Sequence, residues 1–116
     1  PFYGDPTRLS ILLNNLISNA IKYQNEEITD SFVNLTAQVT QTDLKIVIED
    51  NGIGIEEKYL KNIFDMFYRA SPEAKGSGLG LYIVQETIDK LEGKISATST
   101  FGKGTKFSIS IPNKAP

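Results

Sequence analysis

The stretch from Lys94 to Ile111, "KISATSTFGKGTKFSISI", decides the fold. Apolar and polar residues alternate through "KISATST" and again through "TKFSISI", the two-residue period of a half-buried strand, and "FGKG" between them is a turn. Strands joined so tightly pair antiparallel. Upstream, "FVNLTAQVT" (32–40) and "LKIVIED" (44–50) are rich in β-branched residues, and the short polar "QTD" between them predicts a second hairpin. Sheet made of hairpins needs helices over its apolar face, and the rest of the chain supplies them. From Gly4 to Tyr23, "GDPTRLSILLNNLISNAIKY" has Asp5 at an N-cap and Pro6 at the first helical position. Leu9, Leu12, Leu13, Leu16, Ile17, Ala20 and Ile21 then recur at helical spacing and cover about half of the circumference. A second helix is predicted from about Glu56 to Asp65 and a third from about Leu79 to Leu91, with Gly93 as its C-terminal stop. The fold class is therefore α+β: a two-layer sandwich in which a mixed, mainly antiparallel sheet is covered on one face by about three helices.

With 116 residues and no internal repeat or linker, the chain reads as a single domain, residues 1–116. Its composition, 40% hydrophobic and 22% charged, is that of an ordinary globular domain. Twelve basic residues are scattered among fourteen acidic ones for a net charge of -2, which speaks against a nucleic-acid partner. No apolar run approaches a membrane span, so no direct membrane contact is expected. The absence of cysteine excludes disulfides and thiol chemistry, and the absence of histidine excludes any self-contained mechanism that needs an imidazole.

Four constellations carry chemistry. On the first helix Asn15, Asn19 and Lys22 stand at i, i+4 and i+7, one line of side chains at the border of the apolar stripe. A polar outer face accounts for them blandly. Yet asparagines, with Asn14 beside one of them, sacrifice helix propensity, and amide oxygens can complete the shell of a Mg²⁺ that keeps waters and substrate phosphates, with Lys22 adding positive charge. Second comes "EDNGIGI", Glu49 to Ile55, at a strand end. Asp, Asn and Gly make turns, but Asp50 can also accept a hydrogen bond from the exocyclic amine of a base while Gly52 and Gly54 admit a flat ring to the backbone. The third, "IFDMFYR" (Ile63 to Arg69), holds phenylalanines best read as core anchors and an arginine, Arg69, that can reach a terminal phosphate. The fourth is "KGSGLGLYIV", Lys75 to Val84, where glycines lead into a helix N-terminus and bare N–H groups can cradle phosphate; a flexible turn would use the same residues. Gly104 and Thr105 in "GKGTKF" are explained by the hairpin turn alone.

In order and at these separations, the pieces resemble the nucleotide-binding domain of sensor histidine kinases, within the wider family of gyrase, heat-shock chaperone and mismatch-repair ATPases and its Bergerat-type fold. "NNLISNAIKY" resembles the N box, "DNGIGI", "GSGLGL" and "GKGTKF" three glycine boxes, and "IFDMFYR" the F box, from about Gly4 to Ile111. The resemblance implies ATP with Mg²⁺: adenine on Asp50, with Gly52, Gly54 and Thr105 about it; Asn15 and Asn19 on the metal; Lys22 on the phosphates; and Tyr23, Ile55 and Leu81 along the nucleotide. It makes "YRASPEAKGSG" a lid, with Tyr68, Arg69, Gly76, Ser77, Gly78, Leu79 and Gly80 around the phosphates. Hydrolysing members carry a glutamate where this chain has Asn15, and an amide cannot take a proton from water, so slow hydrolysis and phosphoryl transfer to a better nucleophile are implied.

The family's nucleophile is a histidine on a separate dimerisation domain, and this chain has none. The resemblance thus makes it the catalytic half of a protein-histidine kinase, cytoplasmic, cut from a parent that can be membrane-anchored, with an initial strand and the phosphoacceptor domain lying before Pro1. Its implied partners are ATP, that dimerisation and phosphoacceptor domain, and a downstream response regulator. Rival readings are a serine-directed kinase or plain ATPase of the same fold, for which an acid at position 15 is expected, and a nucleotide sensor without turnover.

Overall fold

Helix α1, Pro6–Lys22, starts where Asp5 places it: the Asp5 carboxylate accepts the Arg8 N–H at 3.1 Å and Pro6 occupies the first turn, where its missing N–H costs nothing. This is seen in a computed structural model that describes residues 4–25, 27, 29–65 and 80–114. The Arg8 N–H, with help from the Arg8 guanidinium 2.7 Å away, holds the Asp5 carboxyl below its ordinary pKa in spite of the opposing effect of desolvation. Leu12, Leu16 and Ala20 are buried, and Leu9 and Leu13 pack at the edge of the core. Ile21, expected in the stripe, is instead 55% exposed. It stands five residues beyond Leu16, about 140° further round the helix, so it has rotated off the buried arc.

The sheet contains β1 (Val33–Val39), β2 (Asp43–Asp50), β3 (Lys94–Thr100) and β4 (Gly104–Pro112) in the order β1-β2-β4-β3. All three pairings are antiparallel. Side chains directly opposite one another share a face, so the register reads as rows across the sheet. Leu44 and Ile111 form one row; Ile46, Ile109 and Ile95 the next; Ile48, Phe107 and Ala97 the third. These rows meet Leu12 and Leu16 of α1 and Val84 and Ile88 of α3 (Gly80–Lys90) in one core. β1 lies at the edge, and its Leu35 and Val39 are 43% and 46% exposed although they stand opposite the core residues Ile48 and Leu44.

Two expectations about the helices change. Only Glu57–Leu60 forms helix α2; beyond it, bonds from Asn62 N–H to the Tyr59 carbonyl, Ile63 to Leu60 and Asp65 to Asn62 keep an i→i−3 pattern. The tighter winding buries Ile63 and lets Phe64 meet Phe107 edge-to-face at 6.2 Å. At the end of α3, the Gly93 N–H bonds the Ile88 carbonyl and the Glu92 N–H bonds that of Asp89, a Schellman closure in which the left-handed residue is Glu92, at φ 59°, and not Gly93. Gly93 is required for a different reason: a Cβ there would stand 2.6 Å from the Ser110 carbonyl oxygen of β4.

Candidate functional site

One row further along the same face, the sheet changes character. After Ile48, Phe107 and Ala97 the next residues in register are Asp50, Thr105 and Ser99. Three apolar rows therefore end in a polar one, and the strand-end loops gather there. The half-buried Asp50 carboxylate accepts the Gly52 N–H at 2.8 Å and also the Thr105 N–H. Burial nevertheless dominates and raises its pKa above the ordinary value, helped by the neighbouring Glu49 charge; the two backbone donors only moderate the rise.

The loop after Asp50 is fixed at several points. The Ile53 N–H donates to the Tyr23 carbonyl at 3.0 Å, which fastens the end of α1 to this loop, and the Gly102 N–H of the β3–β4 turn donates to the Ile53 carbonyl at 2.6 Å. The Ile55 N–H donates to Ser99 Oγ at 2.7 Å. A Cβ on Gly52 would strike the Tyr23 carbonyl oxygen, and one on Gly54, held at φ 75°, would strike that of Thr100. Both glycines are thus demanded by the protein's own close-packed backbone before any ligand is considered. Asn51 is a residue whose role the sequence does not disclose: its Oδ1 accepts the Phe32 N–H at 2.8 Å and its Nδ2 donates to the Asp30 carbonyl at 3.0 Å, tying the loop before β1 to the site.

Along α1, Asn15, Asn19 and Lys22 extend over about 10 Å toward the Tyr23 junction. Asn15 Nδ2 donates to the Ile11 carbonyl at 2.8 Å, which turns Oδ1 away as the amide's free acceptor. That oxygen lies 3.9 Å from the position a Cβ on Gly80 would take, at the first turn of α3. Asn19 is half-buried on the same flank and Lys22 is exposed, in the last turn. Ile55 and Leu81 are half-buried against the core. So the structure brings Tyr23, Asp50, Gly52, Gly54, Ile55 and Thr105 together at one end of the sheet, and Asn15 to the start of α3. Tyr68, Arg69, Gly76, Ser77, Gly78 and Leu79 lie outside the described residues.

No group of three or more acidic, His or Cys residues among the described residues is placed to hold a metal. The oxygen donors on this flank are amides, and they suit a hard cation that keeps phosphate and water ligands better than an all-protein cage. A cleft of about 580 Å³, its lining including Gly4, Asp5, Arg8, Lys90, Glu92 and Lys114, lies at the far end of β4. Four of its five charges pair, Arg8 with Asp5 at 2.7 Å and Lys114 with Glu92 at 2.8 Å. Among the described residues no helix is long and apolar enough to cross a membrane.

Comparison with known proteins agrees with this fold. The family model described as histidine kinase-, DNA gyrase B- and HSP90-like ATPase matches residues 4–115. Sensor protein RprX of Bacteroides fragilis is 39% identical over 114 residues, 95% of this chain and 22% of that protein. The autoinducer 2 sensor kinase/phosphatase LuxQ of Vibrio vulnificus is 42% identical over 116 residues, 95% of this chain and 14% of that protein. The mycobacterial sensor histidine kinase MprB superposes with a TM-score of 0.82 at 26% identity, covering 99% of this chain and 78% of that structure. The chain spans about a fifth or less of the length of these curated relatives. Their names are those of sensor proteins and kinases, which does not favour the serine-directed alternative.

Proposed function

Because the chain belongs to the histidine kinase-, DNA gyrase B- and HSP90-like ATPase family, we propose that it binds Mg-ATP and supplies the γ-phosphate to a histidine on a separate dimerisation domain. The observation that carries this reading is the row Asp50, Thr105 and Ser99, where an apolar sheet face turns polar and Asp50 and Thr105 offer acceptors suited to the amino group of a base. Asp50 accepts from the exocyclic amine, and its raised pKa is the mark of a carboxylate kept from water at a binding site. Asn15 and Asn19 hold the metal through amide oxygen; the bond from Asn15 Nδ2 to Ile11 already orients one of them. When bound, Mg²⁺ neutralises phosphate charge. Lys22 and Arg69 would add to that neutralisation, and N–H groups between Gly76 and Leu81 would cradle the phosphates.

Nothing assigned to the metal and phosphates takes a proton from water. Position 15 is an amide, and the chain has no histidine, so the acceptor imidazole comes from the dimerisation domain and the protein's own task is positioning and charge. A cytoplasmic location and a downstream response regulator belong to the same proposal. The test is calorimetric titration with a non-hydrolysable ATP analogue, with and without Mg²⁺, and with the GTP analogue as control. Magnesium-dependent, adenine-selective binding is expected; absence of binding to the folded chain would sink the proposal.

A further inference from the structure

Ser99 is absent from every motif by which the site is legible in the sequence, yet its hydroxyl is a hub. It accepts the Ile55 N–H at 2.7 Å, contacts the Gly104 carbonyl oxygen at 2.8 Å and lies 2.9 Å from Thr105 Oγ1. Counting protons fixes the direction of each bond. A carbonyl cannot donate, so the single Ser99 proton goes to Gly104, and the hydroxyl proton between Ser99 and Thr105 must be that of Thr105. Thr105, only 7% exposed, therefore has its proton committed inside the protein, and its oxygen is left as an acceptor. Thr105 stands directly opposite Asp50 in the β2–β4 register, on the same face, and Asp50 is likewise an acceptor only.

We propose that Ser99 is a positioning residue that makes the site select a 6-amino purine over a 6-oxo purine, by holding the Thr105 hydroxyl in its acceptor-only orientation. The inference rests on the adenine-nucleotide reading above. A 6-amino group offers donors to Asp50 and to the Thr105 side. A 6-oxo group brings a lone pair to a carboxylate and finds no side-chain donor in this row. With Ser99 removed, the Thr105 hydroxyl is free to rotate and donate, which lowers the barrier to the wrong base.

The experiment compares binding of the non-hydrolysable ATP analogue with that of the matching inosine analogue, in which a 6-oxo group replaces the 6-amino group and N1 becomes an N–H donor in place of an acceptor. The folded chain should prefer adenine by at least about tenfold. In Ser99→Ala the adenine-to-inosine ratio should fall about three- to tenfold, and Ser99→Thr should restore it, since threonine supplies the same hydroxyl on a strand. A merely structural role would lower the melting temperature and weaken both analogues equally; an unchanged ratio in Ser99→Ala therefore overturns the inference and leaves the adenine reading intact. If the unmodified chain binds both analogues equally, the selectivity claim falls and nucleotide binding stands. If it binds neither, both fall. Should Ser99→Ala fail to fold, Thr105→Val, which removes the hydroxyl and keeps the shape, must narrow the same ratio by weakening adenine, and an unchanged ratio there overturns the inference as well.

Discussion

Asp50 concentrates the competing demands of the fold and the site. Its folded pKa is raised, chiefly by burial, so the native state binds a proton more tightly than the unfolded chain does. The contribution of this group to stability is present at low pH and is lost as pH rises from the ordinary carboxylate value of 3.8 through the raised one. Asp50→Asn should therefore gain stability relative to the parent across that window, as followed by thermal melts at several pH values. At neutral pH the same change should weaken ATP binding about 10- to 100-fold, the loss of a charge-assisted bond worth about 1.5 to 3 kcal/mol. In the parent, ATP affinity should decline as pH falls through the raised pKa, because a protonated Asp50 offers an ordinary hydrogen bond only. Asn15 makes a separate prediction: Asn15→Glu restores a group able to accept a proton from water, so steady-state ATP hydrolysis should rise, and a flat rate would remove the account of slow hydrolysis. Asn19→Asp should shift the Mg²⁺ titration of nucleotide binding; an unmoved curve would take Asn19 out of the metal shell.

Among the elements, the end of α3 is where the sequence and the backbone disagree most usefully. Glu92 sits at φ 59°, a region that costs a residue with a Cβ about 1 kcal/mol or more, and its solvent-screened ion pair with Lys114 offsets little of that. Glu92→Gly should therefore stabilise the protein by about 0.5 to 1 kcal/mol in a denaturant titration. Gly54→Ala should do the reverse at the site end, costing about 2 kcal/mol or more, since φ 75° and contact with the Thr100 carbonyl leave no room for a methyl group. Both helix starts and hairpins were legible because capping residues and two-residue alternation are local. The early end of α2 was not, because the winding beyond it brings Phe64 to Phe107, more than forty residues away in the chain.

For the molecule as a whole, the antiparallel rows make one core of the two layers, and Phe107 lies at its centre, 2% exposed and in contact with Phe64. Phe107→Ala should cost about 3 to 5 kcal/mol, a large part of the total stability of a domain this size, and urea unfolding should show it as a shifted midpoint. Because Phe107 stands one row from Asp50 and Thr105, the same variant should also weaken nucleotide binding, whereas a comparably buried change at Ile111, the far end of β4, should leave affinity per folded molecule unaltered. The sequence by itself determined the elements, their hairpin pairing and the identity of Asn15, Asn19 and Asp50 as candidates, since period, caps and ordered boxes act over a few residues. Only the tertiary structure decided that β4 lies between β2 and β3, and so that Asp50, Thr105 and Ser99 share one row. That register joins residues about fifty positions apart, and no local pattern distinguishes the serine that organises the row from Ser96, the other serine of its strand. Their difference arises from the face each takes in the sheet and from what the neighbouring strand and loop bring within 3 Å of Ser99.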